Sequence, residues 1–196
     1  MQDYIDVDRC PVITDGSNGC TAAKFAATSG FVTLQFANHA ARLYGADSSV
    51  RIPLGGGAKS GSFALAGVLG YVRGENLDTG DNLYHMMPLH GNLALEHHRG
   101  QWSSTLEFRA VDAKSDVQAA RNELRTPGYA LVNLRSSHQW KLVERASMRL
   151  DAGIDNLGNR MYDLPLGGRY WVGDKTGNSS VPGMGRTFYG GLTFQF

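Results

Sequence analysis

The sequence is short of proline, cysteine, net charge and long apolar runs, and each shortage removes a class of protein. A formal net charge of +1 over 196 residues gives no electrostatic footprint for nucleic acid, so none is expected as a partner. No run approaches the roughly 18 consecutive apolar residues that a membrane-spanning helix needs. That excludes a helical membrane protein but not a membrane barrel, in which only alternate strand residues meet lipid. The start, MQDYIDVDRC, has no basic segment followed by an apolar stretch, so no signal peptide is read there. Those residues resemble the inside of a strand, and the expectation is a chain whose leader and further segments lie upstream. Proline is sparse, at 6 residues, while glycine is abundant, at 25; with alternating polarity, that balance favours sheet and turns over helix.

The two cysteines, Cys10 and Cys20, sit in a stretch of Gly, Ser, Asn, Asp and Thr. A loop that short can be closed by a disulfide in an oxidising compartment, and that bond is expected; two free thiols are the alternative.

Alternation with period two recurs along the chain. In 185–196, Phe188, Leu192, Phe194 and Phe196 oppose Tyr189, Thr193 and Gln195. In 145–156, Met148, Leu150 and Ile154 oppose Arg149, Asp151 and Asp155. Segment 128–140 sets Val132, Leu134 and Trp140 against Asn133 and Arg135. Segment 101–112 sets Trp102, Leu106 and Phe108 against Glu107 and Arg109. The pattern continues in 89–98 and 61–74. The longer segment 31–54 reads as one strand, bulged near Asn38–Ala40. With a partial strand over 2–7, about eight strands are expected.

The connections alternate long and short: 8–30, 75–88, 113–127 and 157–184 are long, whereas 55–60, 99–100 and 141–144 are short. In an up-and-down antiparallel meander, alternate connections share an end. All long loops therefore gather at one end, the asymmetry of bacterial outer-membrane barrels with short periplasmic turns and long extracellular loops. The polar row of Arg51, Glu107, Arg109, Arg135, Arg149 and Asp151 is costly in a closed dry core and suits a wet lumen or a polar plug. Trp102, Trp140, Phe194 and Phe196 form one expected aromatic girdle at the short-turn end; Tyr71, Tyr129 and Phe188 form the other. A water-soluble sandwich with its aromatics in the core is the competing reading.

Four stretches carry a family resemblance. GIDNLGNRMYDLPL (153–166), PGMGRTFYGGLTFQF (182–196), TPGYALVNL (126–134) and FANHAARLYGADSSVRIPL (36–54) resemble, in order, elements of the barrel of TonB-dependent outer-membrane receptors. Asp47 stands where the family commonly has Glu, and Leu157 lacks the usual following Phe. The resemblance implies an all-β fold, the C-terminal segment (1–196) of a 22-stranded transmembrane barrel, without the N-terminal plug, TonB box and signal peptide. It implies active uptake of a scarce nutrient, such as a ferric siderophore or another metal chelate, across the outer membrane of a Gram-negative bacterium. The implied partners are lipid, the missing plug and strands, TonB through the absent N-terminus, and the barrel-assembly machinery, which would read the closing aromatics Phe188, Phe194 and Phe196. A half-barrel is expected rather than a small closed one. The alternative is a self-contained outer-membrane barrel with a structural or adhesive role.

YHMMPLHG (84–91) places His85, Met86, Met87 and His90 at a long-loop edge. Thioether and imidazole groups suit Cu(I) and other transition metals, so these four are the candidate metal ligands; a polar loop running into a strand is the alternative. His97 and His98 are adjacent strand residues and point to opposite faces. No Ser, His or Asp falls in a nucleophile elbow or triad motif, and the glycines at 55–57 and 67–74 lack the strand-to-helix context of a phosphate loop. The chain is read as non-enzymatic and without a resident cofactor, apart from any metal or chelate it transports.

Overall fold

In the computed structural model the described residues are 3–9, 34–118, 121, 123–143, 146–171 and 178–196. They form strands β1 (Tyr4–Arg9), β2 (Leu34–His39), β3 (Ala41–Gly57), β4 (Gly61–Asn76), β5 (His90–Arg99), β6 (Trp102–Val111), β7 (Tyr129–Val143), β8 (Ala146–Asp155), β9 (Arg169–Trp171), β10 (Asn178–Ser180) and β11 (Thr187–Gln195). Seven of these make one antiparallel meander in the order β11-β8-β7-β6-β5-β4-β3. The β1–β2 and β9–β10 pairs are separate two-stranded ribbons. The alternating segments named in the sequence each recur as a long strand. The single strand expected over 31–54 does not: it breaks at Ala40, where the Ala40 N–H donates to Asp78 Oδ2 at 2.8 Å and His39 Nδ1 lies 3.2 Å from the same oxygen. Beyond that break β2 pairs with β1 rather than with β4.

Register turns the alternation into two faces. Ile52, Leu65, Leu95, Leu106, Leu134, Ile154 and Phe188 are consecutive cross-strand partners through all seven strands. A one-residue slip in any strand would move its apolar set to the other side, so this unbroken row shows that the hydrophobic pattern set the pairing. Ile52, Leu95, Leu106, Leu134 and Phe188 are all exposed. Among the described residues nothing covers this outer face, and an apolar surface spanning seven strands is far larger than water tolerates on a soluble protein. Two hydroxyls on it satisfy each other: Ser104 and Ser136, cross-strand partners, hydrogen-bond at 2.9 Å.

Aromatic side chains edge this face at the short-turn end. Trp102 follows the tight turn at Gly100, whose φ of 59° suits glycine. His138, the cross-strand partner of Trp102, has its ring 4.3 Å from Trp102 and 4.3 Å from Trp140. Trp140 pairs with Met148, and Met148 with Phe194. At the other end Tyr44 and Tyr71 lie on the outer face and are exposed. Tyr129 departs from the expected girdle. It is 7 % exposed, stands on the inner face and packs against the tilted ring of Tyr162 at 4.4 Å. Its odd position already set it opposite Ala130 and Val132.

The small core sits on the inner face at the long-loop end. Val111, Tyr129 and Leu131 cluster there, with Met87 and Tyr162 packed against them. Both packing residues come from loops folded over the sheet. The loop after β4 also seats Leu83, 2 % exposed, on Gly74, whose carbonyl accepts the Leu83 N–H at 3.0 Å. A Cβ at Gly74 would lie 2.7 Å from Leu83 Cδ1. Gly74→Ala is therefore expected to push Leu83 outward at a cost of about 1–3 kcal/mol, seen as faster hydrogen exchange of the Leu83 amide with β5–β8 amides unchanged.

Candidate functional site

The six polar residues singled out in the sequence share the inner face. Arg51, Ala66, Ala94, Glu107 and Asn133 are successive partners in one cross-strand row. Arg135 pairs with Thr105 and Gly153, Asp151 with Ser137, and Arg149 with Gln139. Most of their charges are matched within the face. The Arg51 guanidinium donates twice to Glu96 Oε2, at 3.1 and 2.8 Å. Glu107 Oε1 accepts from Asn133 Nδ2 at 2.7 Å and from Arg135 Nη2 at 3.3 Å. Arg149 donates from Nε to Asp151 Oδ1 at 2.9 Å. Pairs this exposed contribute about 0–1 kcal/mol each to stability; they make this part of the face polar, in contrast to the apolar outer face.

Above them the face becomes a cavity of about 210 Å³, bounded by Glu107, Arg109, Arg135, Asp155, Tyr162 and Met184. Asn156 holds its wall. This residue adopts φ 53° and is 3 % exposed. Its N–H donates to Asn133 Oδ1 at 2.9 Å, and its side-chain amide donates to the Arg160 carbonyl at 2.8 Å and the Met184 carbonyl at 3.2 Å. Its Oδ1 accepts the Arg160 N–H at 2.8 Å. Asparagine is suited twice over, tolerating the left-handed backbone and closing the turn with its own amide. Asn156→Ala is expected to lose about 2–4 kcal/mol of local stability. Asn156→Gly, which keeps the backbone freedom, is expected to lose less. Amide exchange over 156–160 reads the difference.

A second polar cluster ties the long loops together. Lys114 and Glu123, with side chains 1 % and 6 % exposed, pair at 3.1 Å. Lys114 Nζ also donates to the Met86 carbonyl at 2.6 Å. Glu123 accepts the His85 N–H at 3.0 Å through Oε1 and the Gln118 N–H at 2.8 Å through Oε2. Gln118 Nε2 in turn donates to both carboxylate oxygens of Asp6 in β1, at 2.8 Å each, and Asn76 Nδ2 donates to Asp6 Oδ2 at 3.3 Å. By sequence, Asn76, Lys114, Gln118 and Glu123 fall in polar loops and Asp6 in a strand, and nothing in local spacing signals a pairing between segments far apart in the chain.

The four soft side chains of 85–90 are placed differently from one another. His85 adopts φ 60° and stacks on Tyr84 at 3.9 Å. Met86 and Met87 both line a cavity of about 100 Å³ alongside Lys114, and Met87 also packs against the Val111 cluster. His90 stands in β5 on the inner face, with Nδ1 2.9 Å from the Pro88 carbonyl. Among the described residues no three His, Cys, Asp or Glu side chains come together as a metal-holding group. His97 and His98 do point oppositely, and the His97 ring stacks on Phe63 at 4.4 Å on the outer face. Phe188 and Phe194 are exposed on that same face, and Phe196 is 99 % exposed just past the end of β11. The disulfide expected between Cys10 and Cys20 falls outside the described residues.

Comparison with known proteins agrees with this architecture. A solved structure titled "Copper transporter OprC" superposes with a TM-score of 0.74 and 21 % sequence identity, covering 100 % of this chain and 28 % of that one. This chain thus spans under a third of that transporter's length. No curated protein sequence matches it. The profile described as TonB-dependent receptor-like, β-barrel matches residues 1–157, well over half the chain, and with the two-faced meander it makes this protein a member of the TonB-dependent receptor β-barrel family, whose barrels stand in the outer membrane of Gram-negative bacteria.

Proposed function

We propose that the chain forms the C-terminal segment of a receptor barrel that actively imports a scarce nutrient, such as a ferric siderophore or another metal chelate, with energy relayed from TonB. The observation that carries this reading is the open sheet with one apolar and one polar face. Among the described residues the two end strands of the sheet, β3 and β11, each have a neighbour on one side alone. Unpaired backbone groups cost several kcal/mol each in hydrocarbon, so a membrane-embedded sheet of this kind calls for further strands to complete a wall. Arg51, Glu107, Arg109, Arg135, Arg149 and Asp151 then face the lumen and its plug. Phe188, Phe194 and Phe196 serve the assembly machinery from the outer side of the last strand. Partners in this reading are lipid, the plug and remaining strands, TonB and that machinery.

The test is TonB-dependent accumulation of radiolabelled metal chelates in cells carrying the complete gene, against cells lacking it. Equal accumulation across a panel of siderophore and non-siderophore chelates would defeat the proposal. A narrower proposal is that His85, Met86, Met87 and His90 meet the transported metal. Cu(I) is expected to slow alkylation of the two methionines; an unchanged rate removes the metal role while leaving the transport reading intact.

A further inference from the structure

The cavity on the inner face holds two polar groups left without a hydrogen-bond partner among the described residues. Glu107 is taken up by Asn133 and Arg135. The Arg109 side chain makes no hydrogen bond or ion pair with another described residue; its charge bears on the Tyr129 phenol, and it lines the cavity. Across from it, Asp155 lines the same cavity with a buried Oδ1 that has no partner. A cation that wants an acceptor and a carboxylate oxygen that wants a donor thus share one space of about 210 Å³. We infer that this cavity is a subsite for an aminocarboxylate group of the imported metal chelate, with Arg109 donating to a ligand carboxylate and Asp155 accepting from a ligand amine N–H.

The inference rests on the transport reading and narrows its substrate class. Size favours one arm of a chelate over a whole one, since drug-sized pockets run to about 300–1,000 Å³. Charge disfavours a bare metal ion. An unpaired guanidinium repels it, and the described residues bring together no three metal-ligating His, Cys, Asp or Glu side chains. A carboxylate, by contrast, matches the forked, charge-assisted donors of arginine. The walls point to a solute arriving from outside: Tyr162 and Met184, the latter 77 % exposed, belong to the long connection between β8 and β11.

Three substitution-inert cobalt(III) complexes separate the contributions by titration calorimetry on the detergent-solubilised full-length receptor. The tris(glycinate) complex offers carboxylates and N–H groups, the ethylenediaminetetraacetate complex carboxylates alone, and the hexaammine complex N–H groups alone. The tris(glycinate) complex is expected to bind tightest. Arg109→Gln is expected to weaken both carboxylate complexes by about tenfold or more. Asp155→Asn is expected to weaken the tris(glycinate) and hexaammine complexes and spare the third. Should Arg109→Gln fail to fold, Arg109→Lys, which keeps the charge but loses the fork, is expected to give an intermediate loss. Affinities unchanged in these variants, or hexaammine binding tightest, overturn the subsite. Cells distinguish the two levels. Failure of all TonB-dependent metal accumulation removes the transport reading, whereas normal accumulation with variant-insensitive binding removes only the subsite.

Discussion

Leu106→Arg is expected to destabilise the folded protein in phospholipid vesicles by about 2–4 kcal/mol, the cost of an arginine on the lipid face near the bilayer midplane. Leu106 sits mid-strand in β6, between Leu95 and Leu134 in the apolar row, and is 47 % exposed. The neighbouring residue supplies the control. Thr105 points to the inner face between Glu96 and Arg135, where water solvates an added charge, and Thr105→Arg is expected to change stability far less. Urea titration of both variants, with folding followed by heat-modifiable gel mobility, measures the asymmetry. Equal costs at the two positions would mean that hydrocarbon does not cover the outer face, and the membrane assignment would fall with it.

That asymmetry was legible because it is written in period two. Side chains of a strand alternate whatever the loops do, so Leu106 against Glu107, or Leu134 against Asn133, announces both the strand and its two environments. Alternation also restricts the pairing, since a one-residue slip in any of the seven strands would turn its apolar set to the polar face. Loop placement carries no such periodic signal. Tyr129 was read as a girdle residue from its position near a strand end, yet a loop aromatic, Tyr162, folds back to cover it on the inner side. The strand expected over 31–54 breaks because Asp78, almost forty residues away, binds both His39 and Ala40. Asn156 sat inside a recognised motif, but why asparagine belongs there needed coordinates: four hydrogen bonds and a left-handed backbone. Arg109 and Asp155 were visible as polar residues of two strands; that they line one cavity, with Asp155 Oδ1 buried and unpartnered, was not.

Lys114→Met is expected to cost the long-loop end about 3–5 kcal/mol, because removing one member of a buried ion pair strands the other charge away from water. Glu123 would keep its hydrogen bonds from the His85 and Gln118 amides, which soften but do not replace the lost cation. The damage is expected to stay local. Lys114 and Thr126 exchange backbone hydrogen bonds at 2.9 and 3.3 Å, so their amides are expected to exchange faster, and protease is expected to cut within 113–127, while β6 and β7 stay protected. The double variant Lys114→Met/Glu123→Met decides the cause. It removes both charges at once, leaving only the Met86 carbonyl and two amide N–H groups without their side-chain partners, and each such loss is worth about 1–3 kcal/mol at most. If the stranded carboxylate is the main penalty, the double variant recovers part of the stability that the single one loses. If the two losses simply add, the pair acts as two independent hydrogen-bonding side chains, and the long loops are held mainly by the apolar packing of Met87 and Tyr162 on the Val111 cluster.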